Sequence, residues 1–221
     1  ATGSRGPPVF DDDKRTIRRM APLLQRVLIV DPQPSGAPMV GGAMRNNAMV
    51  NLALALWVVG HEAQVRVWID EATQTFPQMN PSQPHLVTLW LLQALFAARD
   101  ARGGSPERLA DVQDRVDRLR KLQRDTQATN HEASILLIEA ELARARDELD
   151  RASGLYGRAS SAGREGGLTH LVAYAMEQRA FVAEELGCSD EADLFYRESV
   201  IAYRRWSHRT KVREMEADHP I

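Results

Sequence analysis

The sequence predicts an all-α fold, a right-handed solenoid of stacked helix hairpins behind an irregular, poorly ordered N-terminal segment. Three observations carry that expectation. Ala140, Ala143, Ala152, Tyr156 and Ala159 recur 40 positions on as Ala180, Ala183, Ala192, Tyr196 and Ser199. Their context recurs too, Asp150-Arg151-Ala152 becoming Asp190-Glu191-Ala192 and Leu155-Tyr156 becoming Phe195-Tyr196. Helical spacing of apolar residues marks the stretches before them as well, as in Leu109, Val112, Val116 and Leu119. A hairpin with small residues on one helix and an Ala–aromatic–small pattern on the next cannot bury its own apolar face. Neighbouring hairpins therefore stack and share a core.

Residues 1–15 are rich in Gly, Pro and Asp and read as a disordered lead-in. A short helix from Arg15 is limited by Pro22. The β-branched run at 26–31 stops at Asp31-Pro32 and reads as a candidate strand. Met49 to Val59 form an apolar helix with Gly60 as its C-cap, and a second helix runs from Glu62 to Phe76. After a loop from Pro77 to Pro84, His85 to Arg99 are helical up to Gly103-Gly104. Ser105-Pro106-Glu107 is a helix start: Ser accepts a backbone N–H, Pro presets φ, and Glu meets the positive end of the dipole. The mixed charges on that helix, among them Asp111, Arg115 and Arg118, read as a solvated face with local ion pairs. Asn130 is the expected N-cap of a helix over His131–Arg146, and Leu149–Arg164 is its partner. Thr169 and Ser189 cap the next two, which run to Leu186 and Trp206. The chain thus divides into an N-terminal segment (1–47), a helical repeat domain (48–207) and a C-terminal tail (208–221).

The net charge of −2 and a pI near 6.3 give no bulk drive toward nucleic acid or an anionic membrane. Of the 28 basic residues three are Lys (Lys14, Lys121 and Lys211) and 25 are Arg, a balance that reflects genome composition more than phosphate binding. The single Cys188 forms no internal disulfide and suits a reducing, cytoplasmic setting. No apolar run approaches the ~18–20 residues of a membrane span. With no initiator Met before Ala1, the sequence reads as part of something longer. His61, His85, His131, His170, His208 and His219 are scattered without metal-ligand spacing. Gly41-Gly42 and Gly166-Gly167 lack the Lys-Ser/Thr of a phosphate loop. No catalytic residue, metal site or cofactor is expected.

The 40-residue units resemble tetratricopeptide repeats. Ala152 and Ala192 match the most constant alanine of that pattern and Gly187 its turn glycine. Ala140 and Ala180 match the small residue of its first helix, and Tyr156 and Tyr196 the aromatic of its second. Leu54 to Ala63 resembles an earlier degenerate copy, and Trp90 to Ala98 with the 105–124 helix another. Four hairpins would then span 48–207.

A further resemblance covers residues 85–220. Asn130-His131 with Leu137 to Arg144, and Tyr203 to Glu216 followed by His219-Pro220, resemble a helical region of large bacterial signalling proteins. There it follows a STAND-type ATPase module and precedes a GAF domain and a histidine kinase. That family favours Trp-Gly-Ala where Trp206-Ser207-His208 stands, and Asn-Phe where His131 follows Asn130. No Walker, kinase or GAF motif is present, so no activity of such a parent transfers.

These resemblances imply a non-catalytic interaction module in bacterial signal transduction. It would bind a protein segment or neighbouring domain through a groove formed by the first helices. The repeat alignment lines that groove with Leu137, Glu141, Arg144, Tyr174, Glu177, Phe181 and Glu184, and its acidic members favour a basic partner. Replacing Phe181 and Glu184 together is expected to weaken capture without lowering the melting temperature. The open apolar ends of the stack favour self-association. One segment supports a different class. Residues 22–90 resemble a receiver domain, with strands at 26–31, Val65–Trp68 and His85–Trp90, fused to a helical dimerisation element. Trp90 stands where its phosphoacceptor Asp belongs, so such a remnant could not be phosphorylated.

Overall fold

The computed structural model describes residues 50–219 apart from 51–52, 55, 58–61, 76–83, 103–105 and 128–130. The chain divides into two compact units, Ala1–Met49 and Val50–Ile221. The first unit, with the candidate strand at 26–31, lies outside the described residues, as does the expected cap Asn130.

Among the described residues the second unit is helical and has no strand. Helical residues at 50, 53–54 and 56–57 bring Val50, Ala53, Leu54, Leu56 and Trp57 into the core. They precede α1 (Glu62–Thr75), α2 (Pro84–Asp100), α3 (Pro106–Thr126), α4 (Glu132–Ala145), α5 (Leu149–Glu165), α6 (Thr169–Glu185), α7 (Ser189–Arg205) and α8 (Arg209–Asp218). Two strands required by a receiver domain are therefore helical: Val65–Trp68 lie in α1 and His85–Trp90 in α2. The reason is visible in α1, where buried Val65, Ile69 and Ala72 follow helical spacing rather than alternation.

Each helix packs on the next in chain order, and α2 also touches α4, as α4 touches α6. That arrangement explains two kinds of helix. α4 and α6 have neighbours on several sides and are buried almost all round: Ala133 to Ile138 in α4 and Leu171 to Gln178 in α6 form unbroken buried runs. α5 and α7 bury one face only, through Ala152, Leu155, Tyr156 and Ala159 and through Ala192, Phe195, Tyr196 and Ser199. All ten residues of the 40-residue repeat are buried, which is why small side chains recur there. Ser199, where the first copy has Ala159, turns its extra oxygen to use by donating to Ala173 O at 2.8 Å. α3 buries Val112, Val116 and Leu119 and pairs Arg115 with Asp111, Arg118 with Asp114 and Lys121 with Asp125 on its outer side.

Helix ends are set by one device used repeatedly. Asp147, Gly167, Gly187 and Ser207 stand 20 residues apart in the left-handed region, with φ of 63°, 69°, 76° and 63°. The N–H after each reaches back into the helix just finished. Glu148 donates to Ala143 O, Leu168 to Gly163 O, Cys188 to Ala183 O and His208 to Tyr203 O, at 3.0, 2.8, 2.8 and 2.9 Å. The left-handed residues themselves donate to Arg144, Arg164, Glu184 and Arg204. This pair of bonds is the Schellman motif, which satisfies carbonyls left over at a helix end. Gln127 at the end of α3, with φ 52°, extends the series back by another 20 residues.

The N-caps differ from expectation. Thr169 and Ser189 are the first residues of their helices, not caps. Leu168 and Cys188 hold the cap positions and make no side-chain cap bond. Apolar Leu168 and the Cys188 thiol offer the next helix no cap there, whereas His208 in the same position before α8 accepts from Lys211 N–H at 3.4 Å. Within the stretch set apart as a C-terminal tail, α8 packs on α7 and buries Val212 and Met215.

The turns give the first test. A Cβ on Gly187 would meet no atom within 4 Å, so Gly187→Ala isolates the backbone term. It should cost about 1–2 kcal/mol in urea unfolding. Ser207→Gly should instead gain up to about 1 kcal/mol.

Candidate binding groove

Glu141 projects from α4 and its side chain is fully buried. A carboxylate taken out of water costs several kcal/mol unless its oxygens find donors. Tyr174 on α6 donates to Oε1 at 2.6 Å, and Arg102, just beyond α2, donates to Oε2 at 3.0 Å. Arg99 on α2 reaches the Tyr174 hydroxyl at 3.4 Å and Glu62 on α1 at 3.5 Å. Trp57 packs on Tyr174 with ring centroids 4.1 Å apart, and the Arg99 guanidinium lies 5.3 Å from the Trp57 ring centre. Five chain segments thus meet around one acid. Burial pushes the Tyr174 and Tyr156 hydroxyls well above their usual range, and the Glu141 charge adds to it. Burial works against the Arg99 charge, but Tyr174, Glu141 and Glu62 outweigh it and leave its pKa raised.

A second acid, Glu177 on α6, is treated the same way. Tyr203 on α7 donates to Oε2 at 2.7 Å, and Lys211 on α8 sits 2.8 Å from Oε1. Burial works to lower the Lys211 ammonium, but the Glu177 charge and hydrogen bond prevail and raise it. Beside this pair, Arg144 donates to Gln178 at 2.9 Å and pairs with Glu185. Phe181 meets Tyr196 edge-on at 5.7 Å, and His219 stacks on Tyr196 at 3.8 Å.

The seven residues expected to line an open groove are therefore placed differently. Leu137, Glu141, Tyr174 and Glu177 are buried. Arg144 and Phe181 are half-buried, and Glu184 alone is exposed. The structure does bring Glu141 and Tyr174 together, on the α4–α6 side where the repeat alignment put them. It covers them with parts of the same chain: Trp57 over Tyr174, Arg102 on Glu141, Lys211 on Glu177. Two of the three acids expected to attract a basic partner, Glu141 and Glu177, are paired internally, because a buried carboxylate left unpaired is too costly. Phe181 is packed edge-on against Tyr196, so its removal is expected to cost packing as well as any capture. Trp57, Arg99, Arg102, Tyr203 and Lys211 complete the site and carry no spacing signal that links them to it.

Cys188 is exposed in the turn before α7. Among the described residues no cluster of His, Cys, Asp and Glu could hold a metal ion, and no helix is long and apolar enough to cross a membrane. No protein-family model, curated protein or solved structure significantly matches the chain.

Two tests follow from the burial of these groups. Glu141→Ala strands a buried tyrosine hydroxyl and an arginine, and should cost about 3 kcal/mol in chemical denaturation. This is the low end for a broken buried pair, since Arg102 can turn toward water. The second is alkaline. Tyr156, Tyr174 and Tyr203 are held protonated in the fold, by burial first and the carboxylates second. Unfolded, they ionise near pH 10, so stability falls above that pH by up to about 1.4 kcal/mol per unit for each. Lys211, raised in the fold, contributes fully below its unfolded value near 10.5 and loses that contribution above it, in the same direction. Tyr203→Phe should make the fall above pH 10 shallower by one such slope, read from melting temperatures between pH 8 and 11.

Proposed function

We propose that this chain is a non-catalytic interaction module of tetratricopeptide-like hairpins serving bacterial signal transduction in the cytoplasm. It holds a protein segment against the side of α2, α4 and α6. The observation that carries this reading is the seat of Trp57 on Tyr174, with Arg99 beside the same indole. The helical residues Val50, Ala53, Leu54, Leu56 and Trp57 are already held in the core beside the first helices, so the site's natural occupant is a helix anchored by an aromatic. The sequence of contacts α2–α4–α6, with α3, α5 and α7 each between neighbours in chain order, supports a solenoid of hairpins. In this reading α8 is the first helix of a further hairpin, in phase with the 20-residue spacing. The polar groups of the site are consumed in holding helices together, which favours binding over chemistry.

The test uses segment 50–57 fused to a soluble carrier protein, titrated calorimetrically into the full chain carrying Trp57→Ala. Saturable one-to-one binding is expected, lost when the carrier's segment also has Trp57→Ala. Heat no greater than that of the carrier alone would refute the groove.

A further inference from the structure

Four large apolar side chains are exposed among the described residues, and two of them, Leu194 (52%) and Ile201 (48%), stand on α7. Seven residues apart, they lie two turns and about 10.5 Å from each other on one line of the helix. That line is opposite the face through which α7 buries Ala192, Tyr196, Ser199 and Tyr203. The fold does not require apolar residues there. The repeat equivalents on α5 are Gly154 and Ser161, and those on α3 are Asp114 and Lys121, all exposed. α7 alone of the three carries an apolar pair outward.

The charges around the pair are ordered by sign. Asp190 and Glu191 stand one turn before Leu194, and Arg204 and Arg205 one turn after Ile201. Asp190, Glu191 and Arg205 are exposed and form no ion pair among the described residues, the Glu191 charge acting only at a distance on Arg179, while Arg204 pairs with Glu216. A parallel α7 from another molecule would set acid on acid and arginine on arginine. An antiparallel one sets Leu194 on Ile201 and Asp190 opposite Arg205, twice over, with two-fold symmetry. We infer that the outer face of α7 is a self-association surface, on which a second copy of this chain docks its own α7 antiparallel. The patch is small, so the dimer is weak and reversible. It is independent of the groove, which lies on the other side of the first helices and keeps its Trp57–Tyr174 seat whether or not the dimer forms.

Sedimentation equilibrium of the full chain over a concentration series tests this. The wild type should show a monomer–dimer equilibrium. Leu194→Glu with Ile201→Glu should weaken it at least about ten-fold, with unchanged helical content by circular dichroism. A second pair of variants keeps the test sharp if that one folds poorly. Asp190→Arg and Arg205→Glu should each weaken the homodimer, and an equimolar mixture of the two should dimerise more strongly than either alone. A chain that is monomeric throughout overturns the inference, as does a dimer indifferent to Leu194→Glu/Ile201→Glu or a mixture no stronger than its components. Protection of Leu194 and Ile201 from hydroxyl-radical labelling in a monomer would assign the face to residues 1–49 instead.

Discussion

A helix that ends on a left-handed residue can turn back within three residues, and here that happens every 20 residues from Asp147 to Ser207. The spacing fixes the length of each helix from α5 to α7 at 17 residues. It also fixes register. Helices of one length joined by one turn bring the same positions opposite each other in each successive contact. Ala140 and Ala180, or Tyr156 and Tyr196, can therefore meet equivalent surroundings. The 40-residue repeat of the sequence is two of these 20-residue steps, one buried nearly all round and one buried on a single face.

Register in turn decides where polar groups fall. Helices surrounded on most sides have few places for a charge. Yet α4 and α6 carry Glu141 and Glu177 in their buried runs. Each acid is tolerated because donors arrive from other elements, and each thereby ties those elements together. Arg102 and Tyr174 bind α2 and α6 to α4 through Glu141, while Tyr203 and Lys211 bind α7 and α8 to α6 through Glu177. A hydrophobic residue would fill the same space without choosing partners. The acid demands particular ones and so specifies which helices meet.

How much of this the sequence disclosed depends on how local its cause is. The helices from Glu62 onward follow from apolar spacing, and the buried alanines and tyrosines of the repeat follow from their recurrence. The turns were harder. Gln127, Asp147, Gly167, Gly187 and Ser207 share a conformation and not an identity, so no residue pattern marks the 20-residue step. The capping roles given to Thr169 and Ser189 failed because the turn places Leu168 and Cys188 at the cap positions, one residue earlier. The meeting of Glu141 with Tyr174 was legible in the sequence, but their burial was not. Repeat alignment put Glu141 and Tyr174 together on one side of α4 and α6, and they do meet there. Nothing between residues 57 and 174, or 102 and 141, could tell that Trp57 and Arg102 would cover them.

Under the proposed binding role, that covering changes what a partner would have to offer. An open acidic groove would select basic segments by charge. With Glu141 and Glu177 already satisfied, an incoming base gains no unpaired carboxylate there, and only exposed Glu184 remains to attract one. What the site does offer is the face of Tyr174, flanked by the Arg99 guanidinium, now held by an indole. A competing segment must bring an aromatic able to fill that place and must leave the Arg102–Glu141 pair intact, since breaking it costs more than a rim contact returns. On that proposal selection would rest on shape and aromatic packing, with charge confined to the edge.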